Sequence, residues 1–228
     1  MIRKHFINNL VLQIYEQLPI LQFPIKMNDV YKLILNCKYM SYQKFAYINH
    51  CSIEDVITIW NSKSGCTHYD PNKNRYLILL NLSKADNNYG RQRWTAAHEI
   101  GHIQCKHHLI MALDKIAENG FYQITNPEYE AEADYFAATL LSPFPLFEIL
   151  QIKSVFDLQN TFGISSEAAC VRYKEYLQWK KNHRKTAWER KIINCYKRKF
   201  IASPNYGWGF ILLIKWFLHI LQRQNLAF

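Results

Sequence analysis

At 228 residues, 49% hydrophobic and 15% aromatic, the chain has the length and apolar content for one sizeable core, which excludes a disordered polyelectrolyte. Its net charge of +10 is unevenly placed: residues 1–179 hold 17 Lys/Arg against 17 Asp/Glu, whereas residues 180–228 hold 11 Lys/Arg against Glu189 alone. A basic surface on the main body is excluded, so any argument for an acidic partner concerns the C-terminal segment.

The cysteines (Cys37, Cys51, Cys66, Cys105, Cys170 and Cys195) form no C-x-x-C pair and no zinc-ribbon or small-disulfide spacing. The opening stretch MIRKHFINNLVLQIYEQLPI is interrupted by Asn8, Asn9, Gln13 and Glu16, the pattern of an amphipathic helix rather than a signal peptide. Free thiols without an export signal predict a cytoplasmic protein.

In chain order, apolar spacing predicts helices over 5–18 and 28–48, with Pro19 and Pro24 between them. Residues 51–60 read as a helix capped by Ser52, with Asp55 three residues on. CTHYDPNKNRYLILLNL reads as a β-hairpin turning over Asp70–Asn74, and Tyr76–Leu82 is apolar enough for a buried strand. A polar loop (Lys84–Gly90) precedes a helical stretch over Arg91–His108, then a less regular one ending at Gly120. Asn126-Pro127 supplies an N-cap and a first-turn proline for a helix reaching about Leu141, before Pro143 and Pro145. Residues 146–179 read as two or three short helices.

His98-Glu99-Ile100-Gly101-His102 is an H-E-x-x-H pattern. Residues i and i+4 stand one turn apart on a helix, so His98 and His102 are candidate ligands of one tetrahedral Zn2+. Glu99 is the candidate catalytic base, placed to take a proton from a water that the metal activates for attack on a carbonyl. Gly101 removes a side chain where the helix would approach another element. A catalytic zinc needs a third protein ligand, and downstream lie Glu128, Glu130, Glu132 and Asp134 at alternate positions. At about 100° per residue, Glu130 and Asp134 share a face that continues through Ala137, Ala138 and Leu141, predicted to point inward. Glu132, Tyr135 and Thr139 share another face, predicted to be partly exposed, and Glu128 reads as a solvated helix start. Glu130 is therefore the candidate third ligand, with Asp134 placed to accept a hydrogen bond from a ligating imidazole. His107 and His108 read as surface or second-layer residues, and Cys105 would crowd a site that already has three donors.

The segment RQRWTAAHEIGH followed by EYEAEADYFAATLLSP resembles the ImmA/IrrE family of zinc metallopeptidases. That family has R-x-x-x-A-H-E-x-G-H and, some tens of residues later, E-x-E-A-N-x-F-A-A-x-L-L-M-P. Asp134 here stands where Asn is common, and Ser142 where Met is common. The resemblance covers roughly residues 28–179 and implies Glu130 as third ligand, RYLILLNL as a sheet edge, and a helix-turn-helix repressor of a phage or mobile element as substrate. The expected fold is α+β: a compact zincin-like domain over 28–179, an N-terminal helical segment (1–27), and a basic linker with an apolar helix (180–228).

Two segments support other readings. LQNTFGISSEAACVRYKEYL (158–177) has the outline of a helix-turn-helix, with Gly163 in the turn, and would suit a non-catalytic protein- or DNA-binding regulator on the same scaffold. Its second helix sets Arg172 and Lys174 against Glu167 and Glu175, so it offers no basic face, and packing is the expected role. Residues 180–200 carry nine Lys/Arg beside the apolar stretch Tyr206–Leu221, which is short for a membrane span. That pattern suits either an interfacial helix at an anionic membrane or a terminal helix packed on the domain.

Overall fold

The computed structural model describes residues 1–83, 88–114, 126–181 and 186–201. Helices α1 (Lys4–Gln17) and α2 (Met27–Tyr31) lead to strand β1 (Cys37–Ser41), then helices α3 (Tyr42–Ile48) and α4 (Ile53–Trp60). Strands β2 (Gly65–Asp70) and β3 (Arg75–Leu80) follow, then α5 (Tyr89–Gln104), α6 (His107–Asp114) and α7 (Pro127–Leu141). The described chain continues through α8 (Val155–Phe162), α9 (Ser166–Lys181) and α10 (Ala187–Ile201). This is the expected α+β class, mostly helical with a small sheet.

The sheet order is β1-β3-β2, with β3 parallel to β1 and antiparallel to β2. RYLILL is nearly continuous in apolar residues because β3 is covered on both faces. Tyr76, Ile78 and Leu80 join the main core, and Leu79 joins a smaller one with Tyr42, Ala46 and Val56 of α3 and α4. Two expectations are corrected here. β3 is the central strand, not an edge, and residues 28–48 do not form one helix, since Cys37–Ser41 is strand β1. Local apolar spacing could not register the pairing of Cys37 with Tyr76 and of Ser41 with Leu80. The hairpin and the Ser52–Asp55 capping box form as read.

Helix α1 buries Ile7, Val11, Ile14 and Tyr15, and the Tyr15 hydroxyl donates to the Leu140 carbonyl at 2.6 Å, so α1 shares its core with α7. The segment 187–201, expected as a basic linker, is helix α10 with Ile192, Cys195 and Tyr196 buried, and Trp188 Nε1 donates to the Asn8 carbonyl at 2.6 Å. The loop residues 84–87, the stretch ending at Gly120 and the apolar run Tyr206–Leu221 lie outside the described residues, wholly or in part. No helix among the described residues is long and apolar enough to cross a membrane.

Arg93 explains the arginine that opens the first motif. Its guanidinium is buried and donates to three carbonyl oxygens, those of Ile25 (2.5 Å), Gly163 (3.1 Å) and Phe162 (3.3 Å). It thereby ties α5 to the α8–α9 turn and to the segment before α2. Arg93→Met would keep the apolar stem and leave those carbonyls without their donor. The expected loss is about 3 kcal/mol of unfolding free energy in urea titrations, and an unchanged midpoint would refute this bracing role.

The α8–α9 pair does have helix-turn-helix outline, with Gly163 at φ 60. Arg172 on α9 is nevertheless buried, its Nε donating to Ser142 Oγ (3.1 Å) and its Nη2 to the Ser142 carbonyl (2.7 Å). One of the helix's four basic residues is thus directed inward, and Ser142 supplies its polar acceptors.

Candidate metal centre

α5 and α7 approach closely because Gly101 faces α7. A Cβ at that position would lie 3.0 Å from Ala133 Cα and 3.2 Å from both the Ala133 carbonyl oxygen and Phe136 Cβ. Asn126 caps α7 by accepting from the Glu128 N–H at 2.9 Å, and Pro127 occupies the first turn, as the sequence reading required.

His98, His102 and Glu130 converge, each offering one ligand atom, and these atoms all lie within 4.8 Å of one another. His98 Nε2 is 3.0 Å from His102 Nε2 and 3.2 Å from Glu130 Oε2, and His102 Nε2 is 3.5 Å from Glu130 Oε1. A tetrahedral ion with bonds of about 2.0–2.1 Å spaces its ligand atoms about 3.3 Å apart, so the donor set fits such an ion without rearrangement. Asp134 Oδ1 lies 2.9 Å from His98 Nδ1, so the carboxylate accepts from that nitrogen and turns His98 Nε2 toward Glu130 and His102.

Burial would pull His98 down, but hydrogen bonds to Asp134 and Glu130 outweigh it and hold the imidazole strongly basic, at about 10. His102 moves the other way, to about 2, because it is buried and the neighbouring imidazoles repel a further positive charge. Without a metal His98 therefore holds a proton that a bound ion would displace, whereas His102 is already neutral.

Glu99 is buried, at 8% exposure, and its carboxylate meets β2. Thr67 Oγ1 donates to Glu99 Oε2 at 2.7 Å. Burial raises the Glu99 carboxyl above the usual range, while the His98 charge and the Thr67 hydroxyl pull it partly back. A carboxyl raised in this way is a stronger base near neutral pH than a solvated one. Thr67→Val keeps the shape and removes the hydroxyl. The Glu99 carboxyl should then titrate higher in carboxyl-carbon NMR, since a hydrogen bond to a charged group is worth about 1.5–3 kcal/mol, and an unchanged titration would refute the contact.

The family model described as the IrrE N-terminal-like domain, of the M78 peptidases, matches residues 57–174. The chain belongs to that family. No curated protein matches it. The matched span carries both motifs, and in this M78 member they meet across the α5–α7 contact.

Two expectations about neighbouring residues are corrected, and a third is narrowed. The predicted helix over Arg91–His108 is broken at Cys105 and Lys106, the latter at φ 61, and the chain turns back into α6. Of the two places expected for His107 and His108, surface or second layer, the structure takes the second: both are buried, and His107 lies against His102 at 2.9 Å. His108 Nε2 donates to the Thr67 carbonyl at 3.1 Å, bracing the strand that holds Glu99. Glu132, expected to be partly exposed, is 3% exposed, whereas the side chain of Asp134 on the supposed inward face is 57% exposed. The reason is that α7 is covered on two sides, by α5 and by α1, while Asp134 on its first face borders a groove. Glu132 is tolerated in the core because Arg3 meets it through two guanidinium nitrogens and its backbone N–H. Burial would raise this carboxyl, but the bonds from Arg3 and His107 outweigh it and hold it at about 2, hence ionised. Helical phase could not reveal this, because Arg3 lies 129 residues earlier.

Proposed function

We propose that the chain is a zinc-dependent endopeptidase in which His98, His102 and Glu130 bind the metal and Glu99 is the general base. The observation that carries this reading is a buried, uncoordinated glutamate beside three convergent donors. A purely structural metal site has no use for a carboxylate kept desolvated next to its first ligand. Two imidazoles and one carboxylate form a ligand set that catalytic zinc commonly takes, with a fourth position left for solvent or substrate.

When bound, zinc would supply Lewis-acid activation of water and polarisation of a carbonyl. Glu99 takes the proton from the attacking water and passes it to the leaving amine. Thr67 orients the Glu99 carboxylate through Oε2. Asp134 fixes the plane of His98. A groove of about 1190 Å³ adjoins Asp134 along α7 and is lined by Trp94, Tyr135, Phe144 and Trp179, a surface suited to a polypeptide with apolar side chains. By analogy with the family, the substrate proposed is a helix-turn-helix repressor of a phage or mobile element, a protein met in the cytoplasm.

Metal removal tests the proposal. Dialysis against a chelator should abolish cleavage of a proteome-derived peptide pool, read by labelling of new N-termini, and one equivalent of zinc should restore it. The stripped protein should also unfold at lower temperature, by about 4 kcal/mol of linkage at a thousandfold excess of zinc over Kd. Stoichiometric zinc without any new N-termini would refute the enzyme reading and favour a binding role.

A further inference from the structure

The geometry points to His107, Glu132 and Arg3 as a buried positioning relay that fixes the tautomer of His102 and keeps its Nε2 bare for the metal. The inference rests on the reading of His102 as a metal ligand. It concerns a chain of contacts extending away from that ligand into the core.

His102 Nδ1 lies 2.9 Å from His107 Nδ1, and His107 Nε2 lies 3.0 Å from Glu132 Oε2. Arg3 Nε and Nη2 then reach Glu132 at 2.9 and 2.5 Å, its backbone N–H reaches Oε1 at 2.9 Å, and Nη2 also donates to the Cys105 carbonyl at 3.2 Å. The ring of Tyr129 stacks on His107, with centroids 4.6 Å apart and planes 11° from parallel, so His107 cannot swing away freely.

Each proton position follows from the one before. A guanidinium is a permanent cation and only donates, so the Glu132 carboxylate facing it only accepts. His107 must then present N–H at Nε2, which leaves its Nδ1 as an acceptor. Two imidazole nitrogens 2.9 Å apart need one proton between them, so it resides on His102 Nδ1. His102 Nε2, the atom facing His98 and Glu130, is left with a lone pair. Asp134 imposes the same tautomer on His98 directly, from a side chain 57% exposed, whereas the His102 relay is enclosed, with His107 at 0% and Glu132 at 3% exposure.

Cys105, His107 and Glu132 also lie close enough together to suggest a second metal site. The cation in that cluster is already present as Arg3, and both His107 nitrogens are engaged. Burial raises the Cys105 thiol to about 12, which disfavours a thiolate ligand. The cluster serves the neighbouring centre instead of holding an ion of its own.

Long-range 1H–15N correlation spectra of the imidazole-labelled full chain test the relay. His107 is expected to carry its proton on Nε2 with Nδ1 bare in both metal-free and zinc-loaded protein, and His102 to carry its proton on Nδ1 in the loaded form. Arg3→Met is the companion variant, because the Arg3 side chain is 41% exposed and its loss does not open the core. It should weaken zinc about tenfold in competition with a chromophoric chelator and leave His107 as a mixture of tautomers, with Arg3→Lys restoring most of both. His107 found protonated on Nδ1, or unchanged zinc affinity in Arg3→Met, would overturn the relay. If the wild type takes up no zinc, the metal reading fails by itself, and the His107 pattern in the metal-free chain still decides the relay.

Discussion

Replacing Glu99 by Gln is expected to lower peptide hydrolysis by about a thousandfold while zinc remains stoichiometric, because general-base catalysis is typically worth 10²–10⁴. The amide keeps the shape and can still accept from Thr67 Oγ1, which holds the residue at 2.7 Å in the wild type. It cannot take a proton from water. Metal binding should survive because Glu99 is not among the convergent donors. Stability should move in the opposite direction to activity. Glu99 is a desolvated carboxyl with its affinity for protons raised by burial, so a neutral isostere relieves that cost, and thermal unfolding should shift upward. Mass-spectrometric metal counting, new-N-terminus labelling and calorimetry on the same preparation would separate the three effects. A variant that cleaves at the wild-type rate with zinc bound would refute the role of Glu99. One that loses zinc would place Glu99 among the ligands.

The second large effect is expected at Gly101. Valine there gains a few tenths of a kcal/mol in helix propensity over glycine, but its Cβ meets the backbone of Ala133 at 3.0 Å, and its methyls extend further. Backbone cannot rotate out of the way, so α5 and α7 must separate. Overpacking of this kind costs about 1–3 kcal/mol, and the upper end is expected because the obstacle is main chain on a helix held from the other side by α1. The functional loss should exceed the stability loss. His98 and His102 ride on α5 and Glu130 on α7, so a separation of even half an ångström spoils a ligand triangle with sides of 3.0, 3.2 and 3.5 Å. Zinc affinity should fall tenfold or more in chelator competition while far-ultraviolet circular dichroism at low temperature is retained. Equal affinity in Gly101→Val would mean that the helix contact does not set the site.

Features that are local in sequence were legible. The α7 cap at Asn126-Pro127, the capping box at Ser52 and the hairpin around Asp70–Asn74 each depend on residues a few positions apart, and the structure contains all three. The pairing of His98 with His102, and of Glu130 with Asp134, was legible for the same reason, since one helical turn separates the members of each pair, whereas the meeting of the two pairs across α5 and α7 rested on the need for a third ligand and on family resemblance. Two kinds of feature were not. Strand β1 exists through its partner Tyr76–Leu80, and the buried state of Glu132 exists through Arg3, so neither has a local signature. The break at Lys106 was also invisible, because lysine carries no preference for the left-handed region it occupies there, and it is this break that brings His107 and His108 inside. The adjacent histidines were a signal of sorts: paired with an unexplained acid on the next helix, they marked a polar core network.

The Arg3–Glu132 contact also has a consequence in time. The two residues are 129 positions apart, and at about 5–20 residues per second the ribosome needs roughly 6–26 s to produce the second after the first. During that interval α5 emerges with both histidines, without the carboxylates of α7 that bind or orient them. The nascent chain therefore carries an incomplete centre, and a completed one appears only after α7 is released and closes against both α1 and α5. On the proposed function, a peptidase assembled in this order would stay inert while it is being made.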